Sequence, residues 1–170
     1  MPLVKGHQIV TDEFVTITGD DDIPERGAIL VSAERFLADS EGILARDGKV
    51  GVVWPNSRDL DDLAPCLSRL AAVALVFPTF KDGRAYSQAR ILRERYAYRG
   101  ELRATGQVLR DQFVFMLRAG FDSFDVKKHG DAEAFAGVAK RYSVFYQPTG
   151  DGRMTAFRRR VAFGIAGASL

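Results

Sequence analysis

The chain holds one cysteine, Cys66, in 170 residues. A single thiol excludes an internal disulfide and any all-cysteine metal or cluster site. It also fits a reducing cytoplasm. Histidine is almost as scarce. His7 and His129 are the only two, and with Cys66 they make no metal-ligand spacing, so no metal is expected. Neither a G-x-G-x-x-G fingerprint nor a G-K-[ST] phosphate loop occurs, and no cofactor is expected. No apolar run reaches the roughly 18 residues of a membrane span. The first residues lack the long apolar core of a secretory signal, so the expectation is a cytoplasmic protein without a membrane role. A net charge of +2 is too small an excess to imply nucleic acid.

What is present is ordinary for a globular chain: 46% hydrophobic and 27% charged residues. One domain of this size buries about two thirds of its surface without staples. Residues 1–28 are polar and turn-rich. Residues 8–10 and 14–18 alternate apolar and polar around Thr11-Asp12-Glu13, which predicts an N-terminal hairpin. The run Asp20-Asp21-Asp22 reads as a solvated turn, because no further calcium ligands follow at regular spacing.

From Ala28 the pattern changes. Residues 28–32 form an apolar strand, and Ser32 is placed to cap a helix carrying Phe36, Leu37, Ile43 and Leu44. Residues 49–54 are the next strand. Leu60, Leu63, Leu67 and Leu70 recur at helical spacing, and Pro65 delays the start of that helix to about Asp62. Residues 71–77 are apolar at every position, which predicts a central strand covered on both faces. Ala85, Ala89, Leu92 and Tyr96 mark a helix. Strand 100–105, helix 111–119 closed by Gly120, and strand 121–126 follow. A helix capped by Asp131 and carrying Phe135, Val138 and Tyr142, and a strand over 143–146, complete the pattern. The alternation predicts an α/β domain over 29–148, with a mostly parallel sheet of about six strands and right-handed crossovers. An eight-fold barrel needs about 250 residues, so the sheet is open or a partial barrel. Residues 149–170 form a basic tail, expected to be partly disordered.

In parallel sheets ligands bind beyond the carboxyl ends of the strands. Arg58, Lys81, Arg84, Arg110, Lys127 and Lys128 all fall on that edge, near helix starts that also favour anions. The implied ligand is a small anion or an acidic protein surface; the alternative is that strand-end loops are exposed and carry charge for that reason alone. Asp82-Gly83-Arg84 reads first as a turn, with Asp82 capping a helix and Arg84 left to face a ligand or Asp111. Ser87 begins the helix as a hydrogen-bond donor, with no base paired to it. Gly106 would let a ligand approach the backbone. Asp111 and Gln112 are suited to capping a helix or holding an arginine. No catalytic residue is assignable. Exposed sheet edges favour a homodimer.

The longest distinctive stretch is Phe77-Pro78-x-Phe80-x-Asp82-Gly83-Arg84-x-x-Ser87-x-Ala89-x-x-Leu92-Arg93. It is followed by Gly100-Glu101-Leu102-Arg103-Ala104-x-Gly106, Asp111-Gln112 and Arg118-x-Gly120-Phe121-Asp122-x-Phe124. Together these residues resemble a bacterial family of unknown function, over residues 29–146. Its members are commonly encoded beside assimilatory sulfite reductase and are often labelled as oxidoreductases of sulfite reduction. The resemblance implies a part in sulfate assimilation and sulfite reductase as a partner. The residues contain no redox centre of their own. The expected function is therefore an accessory protein that binds or supports the reductase through its basic strand-end surface. The alternative is a small enzyme acting on an anionic substrate at Asp82, Arg84 and Arg110.

Overall fold

A computed structural model describes residues 2–6, 8–19, 21–141, 145, 146, 148, 149 and 154–166. Its frame is an eight-stranded sheet. Two antiparallel strands, β1 (Leu3–Lys5) and β2 (Gln8–Val10), are followed by β3 (Phe14–Thr16), β4 (Ala28–Ser32), β5 (Val50–Trp54), β6 (Ala72–Phe77), β7 (Glu101–Gly106) and β8 (Ser123–Asp125). The spatial order is β2-β1-β8-β7-β6-β5-β4-β3, and β3 through β8 run parallel. Each parallel strand lies beside the next in sequence, so the winding never reverses.

The connections carry helices α1 (Ala33–Ala38), α2 (Ser40–Ala45), α3 (Arg84–Glu94) and α4 (Phe113–Ala119), with α5 (His129–Arg141) after β8. One-directional right-handed winding places all crossover helices on one face. Side-chain burial bears this out. Val52, Trp54, Val73, Leu75, Phe77, Leu102 and Phe124 join one core with Phe36, Ala85, Leu92 and Phe113 from the helices. The alternate strand residues Leu30, Ala72 and Ala74 form a separate cluster with Phe14, and no helix contributes to it. The expectation that β6 is covered on both faces holds, with helices on one face only. Its second face is closed by curvature.

The curvature follows from chain length. β2 and β3 sit at opposite ends of the strand order, yet only residues 11–13 separate them. Four Cα steps span at most about 14 Å, whereas the outer strands of a flat eight-stranded sheet would lie about 34 Å apart. The sheet must therefore roll into an open half-barrel. Small residues line its concave face. At Gly51 an added Cβ would stand 2.6 Å from Leu30 Cδ2 and 2.9 Å from Ala72 Cβ, so no side chain fits.

An N-terminal antiparallel hairpin is present as expected, but its strands are not the two expected. Residues 8–10 pair with β1, in the register Leu3↔Val10, and β3 crosses to the far edge to pair with β4. Two contacts draw it there: Phe14 buries on the concave cluster, and Asp12 binds Arg103 of β7. The helix expected from about Asp62 is instead a 3-10 turn, Ala64–Arg69, with Pro65 in its first turn. The long helix expected after β4 breaks at Asp39, whose side chain caps α2 through the Gly42 amide. Residues 149–170 are not wholly irregular. A sixth helix, α6 (Ala156–Ala166), follows a bridge between Phe145 and Thr155. Residues 143 and 144 of the expected last strand, Tyr142 and His7 lie outside the described residues. Among the described residues, no helix is long and apolar enough to cross a membrane.

Candidate functional site

The loops at the carboxyl ends of β5, β6 and β7 are built around α3. Ala85, Ala89 and Leu92 bury its inner stripe against the sheet. Tyr86 sets its start by packing edge-on against Phe77, with ring centroids 5.1 Å apart. Ahead of it, Asp82 accepts from the Arg84 amide at 3.2 Å and takes the Arg84 guanidinium as a fork, at 2.6 and 3.0 Å. Of the two partners expected for Arg84, a ligand or Asp111, Asp111 is not the carboxylate it takes: its guanidinium pairs with Asp82 of its own turn. That pairing holds the Asp82 carboxyl well below the usual carboxylate range.

Two clefts flank α3. The first, of about 400 Å³, lies between the loop after β5 and one face of the helix; Asn56, Arg58, Arg84, Ser87 and Gln88 line it. Gln88 Nε2 donates to the carbonyls of Arg58, at 2.9 Å, and Pro55, at 3.3 Å, which pins that loop to the helix. The second cleft, of about 590 Å³, is lined by Tyr86, Arg90, Asp111, Gln112, Phe115 and Arg118. These belong to the opposite face of α3, to α4 and to the turn before it, since residues 84, 87, 88, 91 and 95 share one helical side and 86 and 90 the other. Burial, with the Asp111 charge, pushes the Tyr86 hydroxyl up to about 12. It stays protonated at neutral pH and is no base.

The sequence-derived residues therefore divide. Arg58, Arg84 and Ser87 meet in the first cleft, and Asp111 and Gln112 in the second. Lys81 and Asp82 occupy the loop that leads into α3. Arg110 is in a 3-10 turn, Arg110–Gln112, and Lys127 is exposed after β8. Two of the arginines are already balanced: Arg84 by Asp82 and, more loosely, Arg58 by Glu34 at 3.4 Å. Lys81, Arg110 and Lys127 make no ion pair among the described residues. Asp111 and Gln112 do not cap α4 with their side chains; Gln112 holds a neighbouring loop instead.

That loop carries residues the sequence reading passed over. Gln107 Oε1 accepts from the Phe80 amide at 3.1 Å, and Gln112 Nε2 donates to the Phe80 carbonyl at 3.0 Å. The Phe80 backbone is clamped while its ring stays 49% exposed, with Lys81 Nζ 5.7 Å from the ring centroid. Leu109 and Phe115 (68% exposed) lie on the adjoining turn and helix. Only their hydrophobicity on an otherwise polar stretch marked them. Gly106 also has a different role from the one expected. Its φ of +91° suits glycine, and an added Cβ would run into the Phe77 backbone, so close strand packing uses the space.

A second polar cluster lies on the concave face, away from these clefts. Arg103 is only 1% exposed. It forks onto Asp12 at 2.5 and 2.8 Å and reaches Glu101 at 2.9 Å, with Asp125 at 3.8 Å. Ser123 and Lys5 complete the Glu101 shell, at 2.7 and 2.8 Å. For Asp12 and Glu101 burial pushes the pKa up, but the bonds and charges of Arg103, Lys5 and Ser123 outweigh it and both end lowered. For Asp125 burial wins, and its pKa is raised. The period-2 polar positions Glu101, Arg103 and Thr105 in β7 were the available sequence signal.

Residues 51–157 match the family model described as "Bacterial protein of unknown function (DUF934)". No curated protein matches the chain. The matched span covers the β5-to-α6 region, including both clefts, and the chain belongs to that family.

Proposed function

We propose that this member of a bacterial family of unknown function is an accessory protein of assimilatory sulfite reduction, docking on sulfite reductase through its strand-end surface. The observation that carries the docking part is the clamped, exposed Phe80, with exposed Leu109 and Phe115 and the cations Lys81, Arg110 and Lys127 on the same strand-end edge of the sheet. Exposed apolar side chains on a rigid backbone are anchor residues of interfaces. Unneutralised cations on the same edge favour an acidic partner and speed its approach. The assignment of that partner as the reductase comes from the resemblance of residues 29–146. Action as an enzyme on an anion at Asp82, Arg84 and Arg110 has less support, because Asp82 and Arg84 are bound to each other.

Size-exclusion of the protein mixed with its cognate sulfite reductase tests the reading. Co-elution is expected at low ionic strength, weakening as salt is raised, and lost in Phe80→Asp at unchanged melting temperature. Separate elution at low salt rules the docking out. Growth of a deletion strain places the step: rescue by sulfide alone, with sulfate and sulfite failing, is the expected pattern.

A further inference from the structure

Two residues that line the first cleft, Gln88 and Asn56, carry buried polar atoms without a partner among the described residues. Gln88 is 7% exposed, and both hydrogens of its amide are committed to the Pro55 and Arg58 carbonyls. Those two acceptors fix which end is nitrogen. Its Oε1 is therefore an acceptor by necessity, and it is buried without a partner among the described residues. Asn56, also 7% exposed, supplies the opposite kind: its Nδ2 leans towards Asp82 but forms no hydrogen bond of ordinary geometry. Around them stand N–H groups of Arg58 and Arg84 beyond those given to Glu34 and Asp82, and the Ser87 hydroxyl. Most of these groups donate; the one orphaned acceptor is deep.

A ligand satisfying all of them must accept from several N–H groups and donate one hydrogen to Gln88. We propose that this cleft binds a protonated oxyanion, one that keeps at least one O–H at neutral pH, in preference to a fully deprotonated oxyanion of the same shape. The logic is that of an unpaired buried acceptor: a ligand without a proton leaves Gln88 Oε1 facing an oxygen lone pair. The nearly balanced charge of the lining, with Asp59 and Asp61 beside the arginines, likewise disfavours a dianion. This site is separate from the Phe80 surface and does not rest on the docking reading.

Hydrogen phosphate and sulfate are the test pair, since both are tetrahedral oxyanions and only the first carries a proton at pH 7. Titration of the full chain with each, at matched ionic strength, is followed by amide and side-chain chemical shifts. Phosphate is expected to saturate with shifts centred on Asn56, Ser87 and Gln88, and to bind about tenfold or more tightly than sulfate. Gln88→Met is expected to erase that preference. Because this change also frees the loop after β5, Asn56→Ala serves as the second variant; it should weaken phosphate while the fold stays intact by the same spectra. Equal binding of the two anions overturns the proposal. So do shifts scattered over the surface lysines, or no saturable binding at all.

Discussion

Arg103 is the residue on which the concave face depends. Burying a guanidinium costs free energy unless its hydrogen bonds are met, and here Asp12 and Glu101 meet them. Arg103→Met leaves those carboxylates facing one another without their cation. The expected loss is about 3–5 kcal/mol, read from urea unfolding. Asp125 behaves in the opposite sense. Its raised pKa means the folded state holds the proton more tightly than the unfolded chain does, so its contribution declines as pH rises from the ordinary carboxylate range through the raised value. Asp125→Asn is expected to raise the melting temperature at pH 7 and to remove that part of the pH profile. A lower melting temperature at pH 7 would show that Arg103 needs the Asp125 charge. Asp12 and Glu101, with lowered values, stabilise above the ordinary range and lose that contribution as the solution is acidified through their own pKa values.

Among elements, the loop from β6 to α3 combines two kinds of restraint. Asp82 and Arg84 close its far end, while Gln107 and Gln112 hold Phe80 from the neighbouring β7 loop. Gln112→Ala removes one side of that clamp at a half-buried position. The melting temperature is expected to fall by only a degree or two, while hydrogen exchange at residues 79–83 rises. Unchanged exchange would mean that Gln107 alone holds the loop. Most of the parallel strands and α3 were legible because continuous apolar runs and 3.6-residue spacing are local signals. The 3-10 turn at Ala64–Arg69 and the break at Asp39 were not. Both are settled by end effects, a proline without an N–H and a side chain capping the next helix, which compete closely with helix continuation.

At the scale of the whole molecule, residues 11–13 bridge the open side of the half-barrel, and Asp12 is their anchor. Asp12→Ala is expected to loosen both edges together: faster hydrogen exchange in β2 and β3, with β5 to β7 protected. Exchange confined to one edge would show that Phe14 and strand pairing suffice without the Arg103 contact. The same crossing is why residues 8–10 form the N-terminal hairpin with residues 3–5 and not with 14–18. Short alternating segments at 8–10 and 14–18 look like partners when read locally, but strand pairing is decided by which edge is unpaired in space.

The alternation of strand and helix, the central position of β6 and the polar character of the strand-end loops were determined by the sequence alone, because each rests on residues close in the chain. Tertiary structure decided the rest. It set Arg58 and Arg84 against carboxylates, divided the expected site into two clefts on opposite faces of α3, and brought Asp12 to Arg103 across ninety-one positions. Those outcomes depend on through-space pairing of charges and on the reach of a three-residue bridge, and neither leaves a periodic mark in the sequence.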